Sequence, residues 1–253
     1  MKYKKPYLSK VILRLDFDAP VFTPVVNISK THAESLQARF PKAEPSEVTH
    51  TEYRIFPEKE KLSASETAET HLRFYGSDRK KILVLAPDFI TLEYTQYDTF
   101  PSLLLDYDIV HTILLQLNPD VQTKRLGLRY INHIDLDEAD PTKWDEYLKP
   151  ELLSIFRVPE DPLTISRAFH VLVTNYGDYY VTFQYGAFNP DFPALLKRKQ
   201  FTLDYDAVCE EHLPLTRIAN LLDSYHIKIE YLFENNITDA LRAKMEVVAD
   251  HAQ

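Results

Sequence analysis

The chain is expected to fold as α+β: an internally duplicated body of mainly antiparallel sheets, with helices packed on one side of each half. Three observations predict this. Stretches of alternating apolar and polar residues come in runs, and the helical stretches stand apart from them. Sixteen Tyr and fourteen Phe favour pleated, half-buried surfaces. Short segments also recur in the same order in the two halves.

The recurrences carry the domain organisation. Ile90-Thr91-Leu92-Glu93-Tyr94 returns as Phe201-Thr202-Leu203-Asp204-Tyr205, an offset of 111. Val11-Ile12-Leu13-Arg14-Leu15 returns as Leu126-Gly127-Leu128-Arg129-Tyr130, an offset of 115. Between them, His71 with Tyr75-Gly76 is echoed by His170 with Tyr176-Gly177. A basic loop precedes each repeated strand, Asp78-Arg79-Lys80-Lys81 and then Lys197-Arg198-Lys199. The halves are 1–120 and 121–253. Their boundary near 118–123 has no flexible linker, so they should form one compact body.

The elements follow in order. Val11, Leu13, Leu15 and Phe17 alternate with Ile12, Arg14 and Asp16 as in a half-buried strand, and residues 28–40 read as a helix stopped at Pro41. Strands follow near 48–56, 70–75 and 81–96, the last broken by a turn at Pro87-Asp88. A helix over 102–117 presents Leu103, Tyr107, Val110, Leu114 and Leu117 on one face, and ends at Asn118-Pro119. In the second half, a long strand covers 124–136 and a helix around Trp144 and Tyr147 follows Asp140-Pro141. A hairpin turns at Asn175-Tyr176-Gly177-Asp178, and another strand runs over 199–206. The helix from 214 to 234 turns Ile218, Leu222, Tyr225, Ile229 and Phe233 inward. Asn235-Asn236 is expected to end it in the left-handed conformation, and Thr238 to cap a short last helix.

Several chemistries are set aside by composition. The glycines, Gly76, Gly127, Gly177 and Gly186, are too far apart for a phosphate-cradling loop or a nucleophile elbow. The lone Cys209 removes intramolecular disulfides and multi-cysteine metal sites, and no basic neighbour activates it. Arg14 and Asp16 interrupt the apolar opening before it makes a signal-peptide core, and no stretch approaches the ~18 apolar residues of a membrane span, so a cytoplasmic location without membrane contact is expected. A net charge of −9 disfavours indiscriminate nucleic-acid binding.

Three stretches together resemble a known family. They are Val11-Ile12-Leu13-Arg14-Leu15-Asp16-Phe17; Arg125-Leu126-Gly127-Leu128-Arg129-Tyr130-Ile131-Asn132; and His226-x-x-Ile229-x-x-x-Phe233-Glu234-x-x-Ile237-Thr238-Asp239-x-Leu241. They look like a sporadically distributed prokaryotic family of about this length and of unknown function, marked by an R-x-G-x-R-Y-x-N motif. The resemblance spans nearly the whole chain. It implies a grouping by fold and brings no catalytic residues with it. Patchy distribution is common among accessory genes, phage-defence ones included.

The R-x-G-x-R-Y-x-N stretch is the leading candidate site. On a strand, Arg125, Gly127, Arg129, Ile131 and His133 share one face while Leu126, Leu128, Tyr130 and Asn132 share the other. Arg129 and His133 would flank an anionic group, with Arg14 approaching across the duplication axis. The opposing expectation is that these arginines pair with Asp16, Glu93 or Asp204 and hold the sheets together. Four Asp-x-Asp pairs, at 16/18, 106/108, 135/137 and 204/206, would be co-facial on strands, as a Mg²⁺ site needs. A chain this acidic produces such pairs by chance. Pro87-Asp88 followed by Glu93-Tyr94-Thr95 mimics a nuclease metal site but has Thr95 where the lysine belongs. The histidines include no H-x-H or H-E-x-x-H, so His111 and His226 are expected to be packed or hydrogen-bonded. Arg79, Lys80, Lys197 and Arg198 would straddle a phosphate backbone if duplication placed them symmetrically, with Tyr75 and Tyr176 for stacking.

These observations lead to an expectation of a non-enzymatic binding or assembly protein, without cofactor or metal. It would receive a partner protein or small anionic ligand at the groove between its halves or at an exposed sheet edge. Arg14, Arg129, His133, Tyr130 and Asn132 would serve as the ligand-binding residues, and a homodimer is plausible. The alternatives are a metal-dependent hydrolase or nuclease using an Asp/Glu cluster, and a nucleic-acid-binding accessory protein.

Overall fold

The computed structural model describes residues 2–22, 28–56 and 61–248. The first half contributes β1 (Leu8–Asp16), α1 (Lys30–Arg39), β2 (Lys42–Phe56), β3 (Lys61–Tyr75), β4 (Lys81–Leu85), β5 (Phe89–Tyr94) and α2 (Phe100–Leu117). The second contributes β6 (Gln122–Thr123), β7 (Arg125–Leu136), 3-10 turns at Pro150–Arg157 and Pro162–Thr164, β8 (Ala168–Asn175), β9 (Tyr180–Ala187), β10 (Lys199–Cys209), β11 (Leu213–Pro214), α3 (Leu215–Asn236) and α4 (Asp239–Met245).

Nine of the strands form a single antiparallel sheet in the order β2-β3-β4-β5-β1-β7-β10-β9-β8. The expected pair of sheets is therefore one sheet shared by both halves. They join where β1 lies against β7, with Leu13 opposite Leu128. The reason is in the sequence of β1. Val11, Leu13 and Leu15 are fully buried on the covered face, and pairing with β5 on one side and β7 on the other satisfies the backbone of β1 in the interior.

Helices pack on one face. The inward residues expected of α2, Leu103, Tyr107, Val110 and Leu114, are buried, and Leu117 at its last turn is partly so. In α3, Ile218, Leu222, Tyr225 and Ile229 are buried, each removal from water contributing about 1.5–3 kcal/mol. Phe233 remains half-buried for a reason given below. The deepest polar anchor of this layer is Asp106 of α2, whose side chain is fully buried. It accepts from Arg39 Nε at 2.6 Å, from Lys81 Nζ at 2.9 Å and from the Tyr94 hydroxyl at 3.0 Å. One buried carboxylate thus ties α1, α2, β4 and β5 together.

Three local expectations are corrected. Residues 141–149 make turns instead of a helix around Trp144 and Tyr147. Pro141 and Pro150 bracket too short a segment, and Lys149 is held extended before Pro150 (ψ 143°). Trp144 is nonetheless fully buried, its indole N–H donating to the Pro141 carbonyl. Asn235-Asn236 do not end α3 in the left-handed region. The helix runs through Asn236, and Ile237 is extended because it bridges Leu148. Finally, the recurrences do not superpose in register. Leu92 lies opposite Leu13, whereas Ala207, not Leu203, lies opposite Leu128, so the two copies of the second motif sit four residues out of step.

At the far side of the sheet β8 and β9 approach closely at Gly186, whose φ is +144°. A Cβ there would lie 2.0 Å from the Ala168 carbonyl oxygen. Gly186→Ala is expected to destabilise the protein by about 2–4 kcal/mol, by combined overpacking and backbone strain, measured as a lowered urea midpoint.

Candidate functional site

β7 alternates as expected, and this separates the expected ligand-binding residues. Arg129 and His133, together with Arg14 of β1, stand on the polar face of the sheet. Tyr130 and Asn132 point to the helix-covered face. The five do not converge.

On the polar face the arginines are neutralised by carboxylates of their own sheet. Arg129 makes a bidentate pair with Asp204 of β10, Nε to Oδ1 at 2.8 Å and Nη2 to Oδ2 at 2.5 Å. Arg14 grips Asp16 at 2.6 Å and lies over the Phe89 ring. Arg125 reaches the same Asp16 and also Asp206. Of the carboxylates named as partners, Glu93 instead pairs with Lys10. His133 Nδ1 shares a 3.1 Å hydrogen bond with Thr202. Burial holds the Asp206 carboxyl above its ordinary range, against the pull of Arg125 and Arg129. This lattice of alternating charge fastens β1, β7 and β10 to one another.

The Asp-x-Asp pairs are drawn into similar partnerships. Asp16, Asp106 and Asp204 each hold a cation, Asp18 bonds His212, and Asp135 bonds Gln200. Among the described residues no group of three His, Cys, Asp or Glu could hold a metal ion.

The basic segments do not frame a common groove. Arg79 and Lys80 occupy the β3–β4 turn, whereas Lys197 and Arg198 lead into β10. Arg79 is paired with Glu44 and stacks on Tyr75, and Lys80 Nζ bonds Gln96. Lys199, third of its basic run, is buried between the Trp144 and Tyr147 rings with Glu138 at 2.7 Å. That bond leads the influences that hold the Glu138 carboxyl down to about 2.

The covered face carries a different kind of site. A cavity of about 380 Å³ lies where the first half meets the second. Tyr97 and Asp98, between β5 and α2, form one wall, and Tyr130 and Asn132 of β7 form its floor. From α3 come His226, Ile229, Glu230, Phe233 and Glu234, positions spaced to lie on one helical stripe. The remaining wall is the segment Lys2–Leu8, pinned by the Tyr3–Val247 bridge and by Lys4 and Lys5 amides donating to Glu246 and Met245 carbonyls. Phe233 is half-buried because it faces this space.

Three polar side chains are linked inside. The Tyr97 and Tyr130 hydroxyls lie 2.9 Å apart, and Tyr130 lies 3.0 Å from His226 Nδ1. His226 is stacked on Phe100 at 4.1 Å between centroids, and Tyr97 packs edge-on against Tyr94. Burial raises the phenol pKa of both Tyr97 and Tyr130 and lowers that of His226, so all three are neutral near pH 7. A neutral chain of this kind has two proton orders. If Nδ1 accepts, Tyr130 donates to it and Tyr97 donates to Tyr130, leaving a lone pair exposed at Tyr97. If Nδ1 carries the proton, the order reverses and Tyr97 donates outward. The cavity can therefore present either an acceptor or a donor at one point.

Its lining carries a slight acidic excess. Lys2 and Lys4 face Asp98, Glu230 and Glu234, with Lys2 paired to Asp98 and Glu234 bonded by Tyr3 and Arg242. A larger cavity of about 510 Å³ between α1, β3 and β4 offers, among the described residues, only Gln37 as a polar side chain. Polar groups that converge on an apolar space distinguish the first as the candidate.

Tyr130 and Asn132, expected from the sequence to bind a ligand, line this cavity, and so do Tyr97 and His226, for which no such role was expected. The available signal was the C-terminal motif, whose His226, Ile229, Phe233 and Glu234 all line this cavity. Among the described residues no helix is long and apolar enough to cross a membrane.

Two outcomes are expected. Arg129→Ala strands the nearly buried Asp204 carboxylate and should cost about 1–3 kcal/mol in urea denaturation, discounted because the arginine is partly exposed. Because burial depresses the folded-state pKa of His226, the unfolded chain binds its proton more tightly. Stability present above pH ~6.5 is then lost as pH falls through the folded pKa, and His226→Gln should flatten the melting temperature between pH 7 and pH 5. No protein-family model matches the chain, and no curated protein matches it.

Proposed function

We propose that the protein is a non-enzymatic binding protein whose ligand site is the cavity between its halves. The observation that carries this reading is the Tyr97–Tyr130–His226 chain opening into a space large enough for a small organic molecule. The aromatic walls favour a planar, largely apolar body, and the hydroxyl of Tyr97 supplies one directional hydrogen bond. The slight acidic excess of the lining favours a neutral or zwitterionic ligand over the anion expected from the arginines, and those arginines are already satisfied by Asp16 and Asp204. Seven of the residues that line the cavity, Tyr130, Asn132, His226, Ile229, Glu230, Phe233 and Glu234, come from two of the three stretches resembling the sporadically distributed prokaryotic family, which supports reading this cavity as the site. We also read the two halves as a diverged duplication, supported by the antiparallel meeting of β1 and β7 and by the like placement of α2 and α3. The cavity would then lie at the junction the duplication created.

A thermal-shift panel of nucleosides, aromatic amino acids and aromatic carboxylic acids tests the reading. A compound at a hundred times its Kd stabilises the folded state by ~2.7 kcal/mol. A binder should lose its shift with Tyr130→Phe, which breaks the chain but keeps the ring, and keep it with Arg129→Ala, each measured against its own baseline. A shift that depends on Arg129 and ignores Tyr130 would move the site to the polar face.

A further inference from the structure

We propose that β8 is a self-association edge, at which a second copy of this chain adds its own β8 antiparallel and continues the sheet across a two-fold axis. β8 is the last strand of the sheet, and among the described residues one side of its backbone has no partner strand. Val171, Leu172 and Val173 are consecutive and 63%, 53% and 58% exposed. Phe188, Phe192 and Leu195 are exposed on the loop after β9, which Asn189 ties to Ser166 just before the strand. Six exposed large apolar side chains thus gather at one edge, where isolated ones would need no explanation.

The two ends of the sheet differ in chemistry. β2, at the opposite edge, exposes Lys42, Glu44, Pro45 and Glu47, charges and a proline of the kind that blocks strand addition. Ala168–Asn175 has no charge, no proline and no glycine.

Register and charge identify the occupant. Paired residues must share a face, and Leu172 lies on the helix side with Phe183 while Val171 and Val173 lie on the polar side with Gln184 and Thr182. An axis through Leu172 sets Leu172 against itself and Val171 against the second copy's Val173. The first charges met along the chain are Arg167 before the strand and Asp178 after it. Counted along the chain, this register sets Arg167 opposite the second copy's Gly177, next to Asp178 in the β8–β9 turn, at both ends of the strand pair. The edge is complementary to itself, as an isologous contact requires. The aromatic pair under Arg167, Phe188 and Phe192, widens the contact beyond the strand toward the ~800 Å² per partner of a stable interface.

Light scattering coupled to gel filtration at 1–100 µM tests this on the full chain. Wild type should run at twice the 29.5 kDa of one chain at the upper concentrations. Leu172→Lys and Leu172→Glu, each opposing like charges on the axis, should be monomeric, and a mixture of the two should regain the dimer. Ser46→Lys on β2 should leave wild-type behaviour. Should the charged variants fail to fold, Leu172→Cys provides the second reading, because Cys209 is buried and the new thiol faces its own copy. Mild oxidation should give a covalent dimer on a non-reducing gel. A wild type that stays monomeric at 100 µM overturns the proposal and leaves the edge to a strand from another protein. A dimer unaffected by Leu172→Lys, or variants that stay apart when mixed, or absence of the covalent dimer, overturns it as well.

Discussion

The pairing of β1 with β7 is the constraint on which the rest depends. It joins the halves through backbone hydrogen bonds between two strands that are each paired on both sides, so neither half has a free edge at the junction. Once Leu13 faces Leu128, alternation decides the face of every neighbouring side chain. A slip of one residue would carry Tyr130 and Asn132 to the polar side and Arg129 into the helix layer. The polar ion-pair lattice opposes that slip, because Arg129 finds Asp204 and Arg125 finds Asp16 only in the observed register, whereas Arg14 and Asp16 lie on one strand and pair within it. The charges therefore serve position more than energy, consistent with the modest worth of partly exposed pairs.

The same constraint assembles the cavity. Tyr97 follows β5, Tyr130 belongs to β7 and His226 to α3, three segments far apart in the chain. They meet because β5 and β7 flank β1, and because α3 crosses the covered face of β7 and β10 while α2 begins just after Tyr97. Asp106, gripping Arg39, Lys81 and Tyr94, fixes the start of α2 and with it the wall that carries Tyr97. A neutral, buried hydrogen-bond chain is then affordable because each member is satisfied by the next.

Much of this was legible in the residues. Alternation in Val11–Phe17 and in Arg125–Leu136 reports both the strands and their two faces, and the apolar stripes of α2 and α3 report the covering layer. The pairing of arginines with Asp16 and Asp204 could be anticipated because strand neighbours of opposite charge attract. What failed had local causes. Around Trp144, aromatic spacing imitates a helix, while two prolines and tertiary burial of the indole decide otherwise. At Asn235-Asn236, a long-range bridge from Leu148 overrides the asparagine preference. The four-residue offset of Phe201–Tyr205 relative to Ile90–Tyr94 is a matter of pairing partners, which sequence likeness does not encode. Tyr97 was missed because nothing near it in the chain marks it; only the fold brings it to Tyr130.

The two faces of the sheet divide the work: the polar face holds the strands in place, and the covered face carries the proposed ligand site. Histidine ring nitrogen NMR reads both faces in one spectrum, since His133 stands on the first and His226 on the second. With nucleosides and aromatic amino acids added to labelled protein, the His226 Nδ1 and Nε2 resonances should move while those of His133 stay in place. Movement of His133 with His226 unchanged would contradict it.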